Sequence, residues 1–166
     1  MKILLIDSGI RQEKCIQARK MALLKLELPH HVFYNIIEQL NEFAHNIFAW
    51  LNTLSLTVQN VFNLSEQRRF DNLQEFYDNI QRRIARIQHL LNENDLTHNV
   101  FNNIFATARS MGFAAKVTGF GPKYAYILLP PNFTNDQIER IKTQLRGQNF
   151  IVINTSINCD GVKLEN

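Results

Sequence analysis

Hydrophobic residues recur every three or four positions through the middle of the chain. The repeat runs over residues 32–51 and again over residues 70–91, and this spacing places side chains on one face of a helix. A shorter helix is expected over residues 13–26, and Pro29 stops it or starts the next one. The middle of the chain is therefore predicted to be helical.

Short apolar runs near both ends of the chain predict strands. Residues 2–10 hold an apolar run followed by Asp-Ser-Gly, which is typical of a buried strand that leaves a sheet through a tight turn. Residues 115–118 and 124–129 flank a Gly-Phe-Gly-Pro segment and predict a hairpin. Residues 150–154 predict a last strand.

A fourth helix is expected between the long helices and the hairpin. Thr97 is a candidate N-cap for an apolar helix face over residues 100–111, and Gly112 is expected to end this helix.

A fifth helix is expected between the hairpin and the last strand. Thr134 or Asn135 is its candidate N-cap, residues 136–146 its body and Gly147 its end. The element order then reads β, helices, ββ, α, β, which indicates an α+β fold in which a small, mainly antiparallel sheet packs against several long helices. No linker or repeat divides the sequence, so residues 1–166 are predicted to form a single domain.

Composition and charge narrow the class of protein. The chain has 166 residues, 45% of them hydrophobic and 20% charged, with a net charge of +3, which is typical of one globular domain. The charge permits an anionic ligand but is below the density expected of a nucleic-acid binder. No apolar run approaches the roughly 18–20 residues of a membrane span. Neither a disulfide framework nor an export signal is indicated, so a cytoplasmic protein without nucleic-acid or membrane partners is expected.

The glycine-bearing hairpin turn is the best candidate for a ligand loop. Gly119 and Gly121 lie two residues apart in it; paired glycines allow close backbone approach, and amides of such a loop can face an anion. On pattern alone, a simple hairpin whose glycines satisfy positive φ is the commoner outcome.

Other chemistry-bearing residues form no recognisable site. The histidines lack the spacing of metal ligands, so no metal site is expected. Cys15 and Cys159 have no base or orienting carboxylate beside them in sequence. Several arginines alternate with acidic residues, which favours a solvated helix face over a nucleic-acid stripe. These arginines are Arg68, Arg69, Arg82, Arg83 and Arg86.

The order of motifs resembles one family of small-molecule kinases. Its parts are the strand ending in Asp7-Ser8-Gly9, a helical run with Arg11 and Lys14, the long helices, Ala-Lys-Val-Thr-Gly-Phe-Gly at the hairpin and the terminal Thr-Ser-Ile-Asn-Cys-Asp-Gly-Val. Together they resemble the C-terminal domain of mevalonate kinase, in the superfamily of galactokinase, homoserine kinase, mevalonate kinase and phosphomevalonate kinase. The resemblance implies a ferredoxin-like sheet.

The hairpin turn is similar to the third sequence motif of that superfamily, which lies at the nucleotide-phosphate end of the active site. The resemblance therefore implies that Lys116, Thr118, Gly119 and Gly121 contribute to nucleotide binding. Lys123 is expected to add a positive point charge, or else to be a solvated hairpin lysine.

Members of this superfamily have a second, N-terminal domain that carries the main phosphate loop, the magnesium contact and the catalytic aspartate. The resemblance implies that this chain lacks those parts, holds no catalytic residue and uses ATP and magnesium only when an N-terminal half completes it. Phosphoryl transfer relies on phosphate and metal contacts acting together. The chain alone is therefore expected to be inactive, as one part of a kinase that phosphorylates a small alcohol in isoprenoid precursor synthesis.

Two hypotheses remain from the sequence. In the first, the chain is one half of a kinase and its partner is the missing N-terminal domain. In the second, it is a stand-alone, non-catalytic binding module. A homo-oligomer is the expected alternative to a missing partner, because a stand-alone domain would otherwise expose an apolar face. Phe120 and Pro122 discriminate between them, because they stand where the kinases have small residues and glycines.

Overall fold

The computed structural model describes residues 2–10, 14–60, 66–119, 123–130 and 132–156. Within them lie four strands and five helices. In chain order they are β1 (Lys2–Asp7), α1 (Lys14–Glu27), α2 (His30–Asn60), α3 (Glu66–Glu93), α4 (Phe101–Ser110), β2 (Ala115–Val117), β3 (Tyr124–Leu128), α5 (Asn135–Arg146) and β4 (Ile151–Ser156).

The four strands form one antiparallel sheet with the order β2-β3-β1-β4. Strand β1 is central: Leu5 lies opposite Tyr126 of β3 on one side and Ile153 of β4 on the other. Because β1 and β4 pair although most of the chain separates them, the sheet joins the two ends of the sequence. This is the ferredoxin-like arrangement, so the predicted α+β fold class is confirmed.

The main hydrophobic core lies between one face of the sheet and helices α4 and α5. Leu4 and Ile6 of β1 are fully buried, as expected for alternate positions of a strand that faces a core. Phe101 and Ile104 of α4 and Ile141 of α5 are also fully buried in this cluster. These two helices thus cover one face of the sheet. On the opposite face, Tyr126 and Leu128 of β3 pack against α3 in a second, smaller hydrophobic cluster.

Helix α3 lies against the β2 edge of the sheet and satisfies its backbone. The Ala114 amide donates to Gln81 Oε1 at 2.7 Å, and the Val117 amide donates to Gln88 Oε1 at 3.0 Å. The two glutamines lie seven residues apart, which puts them on one face of the helix. On the next strand, the Leu128 carbonyl accepts from Gln81 Nε2 at 2.9 Å. Edge strands otherwise expose unpaired backbone groups, so α3 closes one edge.

The structure confirms most of the predicted element boundaries. Helix α1 ends at Glu27, and α2 begins at His30, directly after Pro29. Helix α2 continues to Asn60, nine residues past the end of the predicted run over residues 32–51. Helix α3 ends at Glu93, and Asp95 follows it in a left-handed conformation with φ 52°.

The two predicted caps have different outcomes. Thr134 caps α5 in a reciprocal box, since its side chain accepts from the Gln137 amide and the Gln137 side chain accepts from the Thr134 amide. The cap predicted at Thr97 is wrong. Val100 occupies the position before α4 without a side-chain cap, because the Thr97 hydroxyl accepts a hydrogen bond from Gln88 Nε2 of α3 at 3.0 Å instead.

The ends of α4 and α5 lie where glycines were predicted to end them. Gly112 follows α4 with φ 84°, a left-handed conformation that suits glycine. Gly147 is the residue at the end of α5 but keeps a helical φ of −61°. The left-handed residue of that turn is Asn149, with φ 66°.

Candidate functional site

The candidate site lies where the end of β1 meets the β2–β3 turn. Asp7 is opposite Tyr124 in the register of β1 and β3, so the Asp-Ser-Gly turn lies beside the start of β3. The Ser8 amide donates to the Lys123 carbonyl at 3.0 Å, and the Ser8 hydroxyl donates to the same oxygen at 2.6 Å. The end of β1 therefore holds the hairpin turn through two hydrogen bonds to one carbonyl.

The Asp7 carboxylate is bound from two sides. Its Oδ2 lies 2.7 Å from Lys123 Nζ, and its Oδ1 accepts from the Gly9 amide at 2.9 Å. Gly9 has φ 73°, the conformation that lets its amide turn back toward Asp7. Burial by itself raises the pKa of Asp7, but the hydrogen bonds from Lys123 and Gly9 outweigh it and hold the pKa below its ordinary value.

Lys123 is in an ion pair rather than simply solvated. The hydrogen bond to Asp7 is the main reason that the pKa of Lys123 is raised, and a hydrogen bond to the Tyr124 hydroxyl, 3.3 Å away, adds to it. An incoming phosphate would compete with the Asp7 carboxylate for this ammonium group. The point charge that the sequence assigned to Lys123 is therefore balanced in the structure.

Lys116, unlike Lys123, is not in an ion pair within the described part of the chain. It lies in β2 opposite Tyr126, on the face of the sheet turned away from α4 and α5. Its half-buried ammonium group donates to the Val117 carbonyl at 3.1 Å. In the described part of the chain no carboxylate lies within ion-pair distance of it, and burial lowers the pKa of Lys116. Its positive charge has no counterion there.

Thr118 and Gly119 begin the turn itself. The Thr118 amide and hydroxyl both donate to the Tyr124 carbonyl, at 2.9 and 3.1 Å. Gly119 has φ 55°, so a side chain at this position would strain the backbone although open space surrounds it. Gly121, which the sequence also assigned to the site, lies outside the described residues, as do Phe120 and Pro122.

The structure brings four of the five predicted site residues to one hairpin and adds two that the sequence analysis did not assign. Asp7 and Ser8 contact the backbone or side chain of Lys123. The signal for them was an Asp-Ser-Gly turn at the end of a buried strand, but the strand pairing that places it beside the hairpin is a long-range feature.

The remaining candidates form no site in the described residues. No group of three or more His, Cys, Asp or Glu side chains that could hold a metal ion occurs among them. Arg82 and Arg86 of the predicted solvated face are exposed. No helix in the described ranges is sufficiently long and apolar to cross a membrane.

Comparison with solved structures shows which proteins share this fold. A crystal structure of mevalonate kinase superposes over 92% of this chain with a TM-score of 0.58 at 12% sequence identity. The chain has the fold of a mevalonate kinase C-terminal domain. The L. major mevalonate kinase, solved with R-mevalonate, matches 89% of the chain with a TM-score of 0.60 at 15% identity. The Methanococcus jannaschii mevalonate kinase matches 92% with a TM-score of 0.54 at 14% identity.

The match covers a minor part of these kinases. This chain corresponds to 38% of the length of each of the three mevalonate kinases. No protein-family model and no curated protein sequence matches it. The similarity at 12–15% identity is thus one of fold.

Proposed function

We propose that this chain is the C-terminal part of a mevalonate-kinase-like enzyme that transfers a phosphoryl group from ATP to the hydroxyl of a small alcohol. Its role is to close the nucleotide-phosphate side of the active site with the Lys116–Lys123 hairpin. An N-terminal half supplies the main phosphate loop, the magnesium contact and the catalytic aspartate. ATP and magnesium therefore bind productively only in the completed enzyme.

The environment of Lys116 is the observation that carries this proposal. Burying an ammonium group without a counterion costs stability, and groups held in such surroundings are concentrated at functional sites. The charge lies three residues before Gly119, on the face of the sheet opposite α4 and α5, where neighbouring side chains pack against α3. A nucleotide phosphate is the type of ligand that supplies the missing negative charge.

The chain matches 38% of the length of each mevalonate kinase, which supports the proposal that an N-terminal half completes it. Phosphoryl transfer depends on several contacts to phosphate and metal acting together, and 38% of a mevalonate kinase chain leaves room for a further domain. We therefore expect the purified chain to release no ADP with mevalonate, MgATP and magnesium in excess.

An activity assay on the chain in its native assembly tests this function. The tagged chain, recovered from its native source together with whatever completes it, is expected to release ADP in the presence of mevalonate or another small alcohol. Lys116→Met is expected to lower that rate by about tenfold or more. Lys25→Met, on the exposed surface of α1, is the matched control and is expected to leave the rate unchanged. Equal rates for both variants would contradict the role of Lys116.

The alternative is a non-catalytic binding module, and the Asp7–Lys123 ion pair favours it. The 2.7 Å contact neutralises the second positive charge of the turn, which weakens the case for a phosphate site. The module hypothesis predicts that the native assembly has no kinase activity and that Lys116→Met changes none.

A further inference from the structure

A cleft lies between α3 and α4, at the start of β2 and away from the Gly119 turn. Its volume is about 370 Å³, and its walls include Arg82, His89, Phe105, Arg109 and Phe113. This size is at the lower end of small-molecule sites, which span roughly 300–1,000 Å³. The cleft shares no residue with the site at the hairpin turn.

Two guanidinium groups line the cleft without a carboxylate partner. Arg82, from α3, donates to the neutral Asn79 Oδ1 at 2.6 Å. The guanidinium group of Arg109, from α4, has no hydrogen-bond or ion-pair partner within the described ranges of the chain. The nearby acidic group, Glu93, lies 3.1 Å from His89 Nε2 and pairs with that ring. The cleft thus combines two arginines from two helices, and neither is paired with a carboxylate in the described part of the chain.

The rest of the cleft combines apolar and uncharged polar side chains, among them Phe105, Phe113, Gln81 and Gln88. Phe105 is buried at its wall, and Phe113 packs edge-on against Phe133 with ring centroids 5.1 Å apart. Gln81 and Gln88, which also line the cleft, are buried and bound to the backbone of the β2 segment. These phenylalanine and glutamine side chains are therefore positioned before a ligand arrives, which lowers the cost of binding.

The turn after α4 contributes to this arrangement. The Gly112 amide donates to the Arg109 carbonyl at 3.0 Å, and the Phe113 amide donates to the Ala108 carbonyl at 2.9 Å. Backbone amides therefore occupy these last carbonyl oxygens of the helix, and the left-handed Gly112 turns the chain so that Phe113 joins the wall.

We infer that this cleft binds a small organic anion, with its phosphate or carboxylate group between Arg82 and Arg109 and its apolar part against the phenylalanine side chains. Guanidinium groups bind such oxyanions through paired, charge-assisted hydrogen bonds. The phenylalanine side chains in the lining favour a ligand with an apolar part over an inorganic ion, which would contact the arginines alone. The inference is independent of the proposed kinase role, because it concerns other residues.

Titration with phenyl phosphate tests this inference, since that probe joins an oxyanion to an aromatic ring. Binding to the full chain is followed by backbone NMR shifts and by calorimetry at low salt. The amides of Arg109 and Gly112 are expected to shift on titration. Arg82→Gln and Arg109→Gln are each expected to weaken binding by about tenfold. Neutral phenol and inorganic phosphate are each expected to bind more weakly than phenyl phosphate.

Arg86→Gln is the matched control, because Arg86 is an exposed arginine of α3 outside the cleft lining. It removes the same charge and is expected to change the affinity less than about twofold. Arg109→Lys keeps the charge without the fork and is expected to fall between wild type and Arg109→Gln. Three results would each overturn the inference. The glutamine variants could all weaken binding equally, inorganic phosphate could bind as tightly as phenyl phosphate, or the amides of Arg109 and Gly112 could fail to shift.

Discussion

Lys116 and Lys123 flank the same hairpin turn, yet the fold treats their ammonium groups differently. Lys123 is bound to Asp7 at 2.7 Å, whereas Lys116 is half-buried and donates to a backbone carbonyl. A charge that is desolvated without a counterion destabilises the folded state. The position of the Lys123 ammonium group is thus explained by its ion pair in the fold, whereas that of the Lys116 ammonium group is not.

Replacing Lys116 is therefore expected to stabilise the isolated chain. Burial lowers the pKa of Lys116 in the folded state. The charged ammonium group therefore destabilises the folded state at every pH below that lowered pKa. This destabilisation is lost as the pH rises from the lowered pKa to the ordinary value of 10.5. Lys116→Met should raise the thermal midpoint at pH 7 by a few degrees, with Lys25→Met unchanged. A lower midpoint for Lys116→Met would show that the ammonium group stabilises the fold.

Asp7 is expected to give the opposite pH dependence. Its pKa is lowered in the folded state, so its stabilisation is complete above the ordinary value of 3.8 and is lost as the pH falls through the lower folded-state pKa. Asp7→Asn should have a lower thermal midpoint than wild type at pH 7, and the two curves should converge in strong acid. Asp78→Asn, exposed on α3, is the control; a constant gap between wild type and Asp7→Asn at all pH values would contradict this prediction.

Only part of the candidate site could be predicted from the sequence, because some of its residues come together through long-range strand pairing. Lys116, Thr118 and Gly119 belong to one local motif whose glycine signals a turn. Asp7 and Ser8 reach that turn because β1 pairs with β3 across more than a hundred residues, a contact that local patterns do not encode. The roles of Lys116, Thr118, Gly119, Gly121 and Lys123 in nucleotide binding stay predictions.

At the scale of elements, α3 replaces a missing neighbouring strand along the β2 edge. Gln88 is buried with 4% of its surface exposed; it accepts from the Val117 amide and donates to Asn92 and Thr97. Its side chain links α3 to β2 and to the segment before α4. The Thr97 hydroxyl is bound to Gln88 and does not cap α4.

Removing the Gln88 side-chain amide should destabilise the fold. Gln88→Leu leaves the Val117 amide unsatisfied in a buried position, and we expect the free energy of unfolding in urea to fall by about 1–3 kcal/mol. Gln74→Leu on the same helix is the matched control, because Gln74 bonds to Asp78 at an exposed position, and a change within about 0.5 kcal/mol is expected there. Equal losses in both variants would contradict the edge-satisfying role of Gln88.

Helix periodicity predicted the elements well because the buried faces of α3 and α4 repeat every three or four residues. It failed where a polar side chain has a partner from another element. The glutamines of α3 gave no sequence signal, since a buried and an exposed glutamine look alike in a periodic pattern, and Thr97 was misassigned for the same reason. The capping box at Thr134 was predictable because both of its partners lie within four residues.

At the scale of the whole molecule, apolar side chains remain exposed in the described part of the chain. Leu26 is 81% exposed, Phe48 64% and Ile151 65%, and they lie on α1, α2 and the edge strand β4. Large exposed apolar side chains can serve as contacts for a partner where they adjoin one another. A completing domain or a second copy of the chain is expected to use some of this surface, and the oligomeric state stays a prediction.

The most direct test of the kinase-half account is to recover the chain from its native source and identify the polypeptide that carries or accompanies it. Immunoprecipitation with an antibody to the chain, followed by mass spectrometry, distinguishes the cases. We predict an N-terminal kinase half, either continuous with this chain in a larger protein or bound to it as a separate subunit. A 19.4 kDa polypeptide recovered without any such half would contradict the account and leave the binding-module hypothesis in its place.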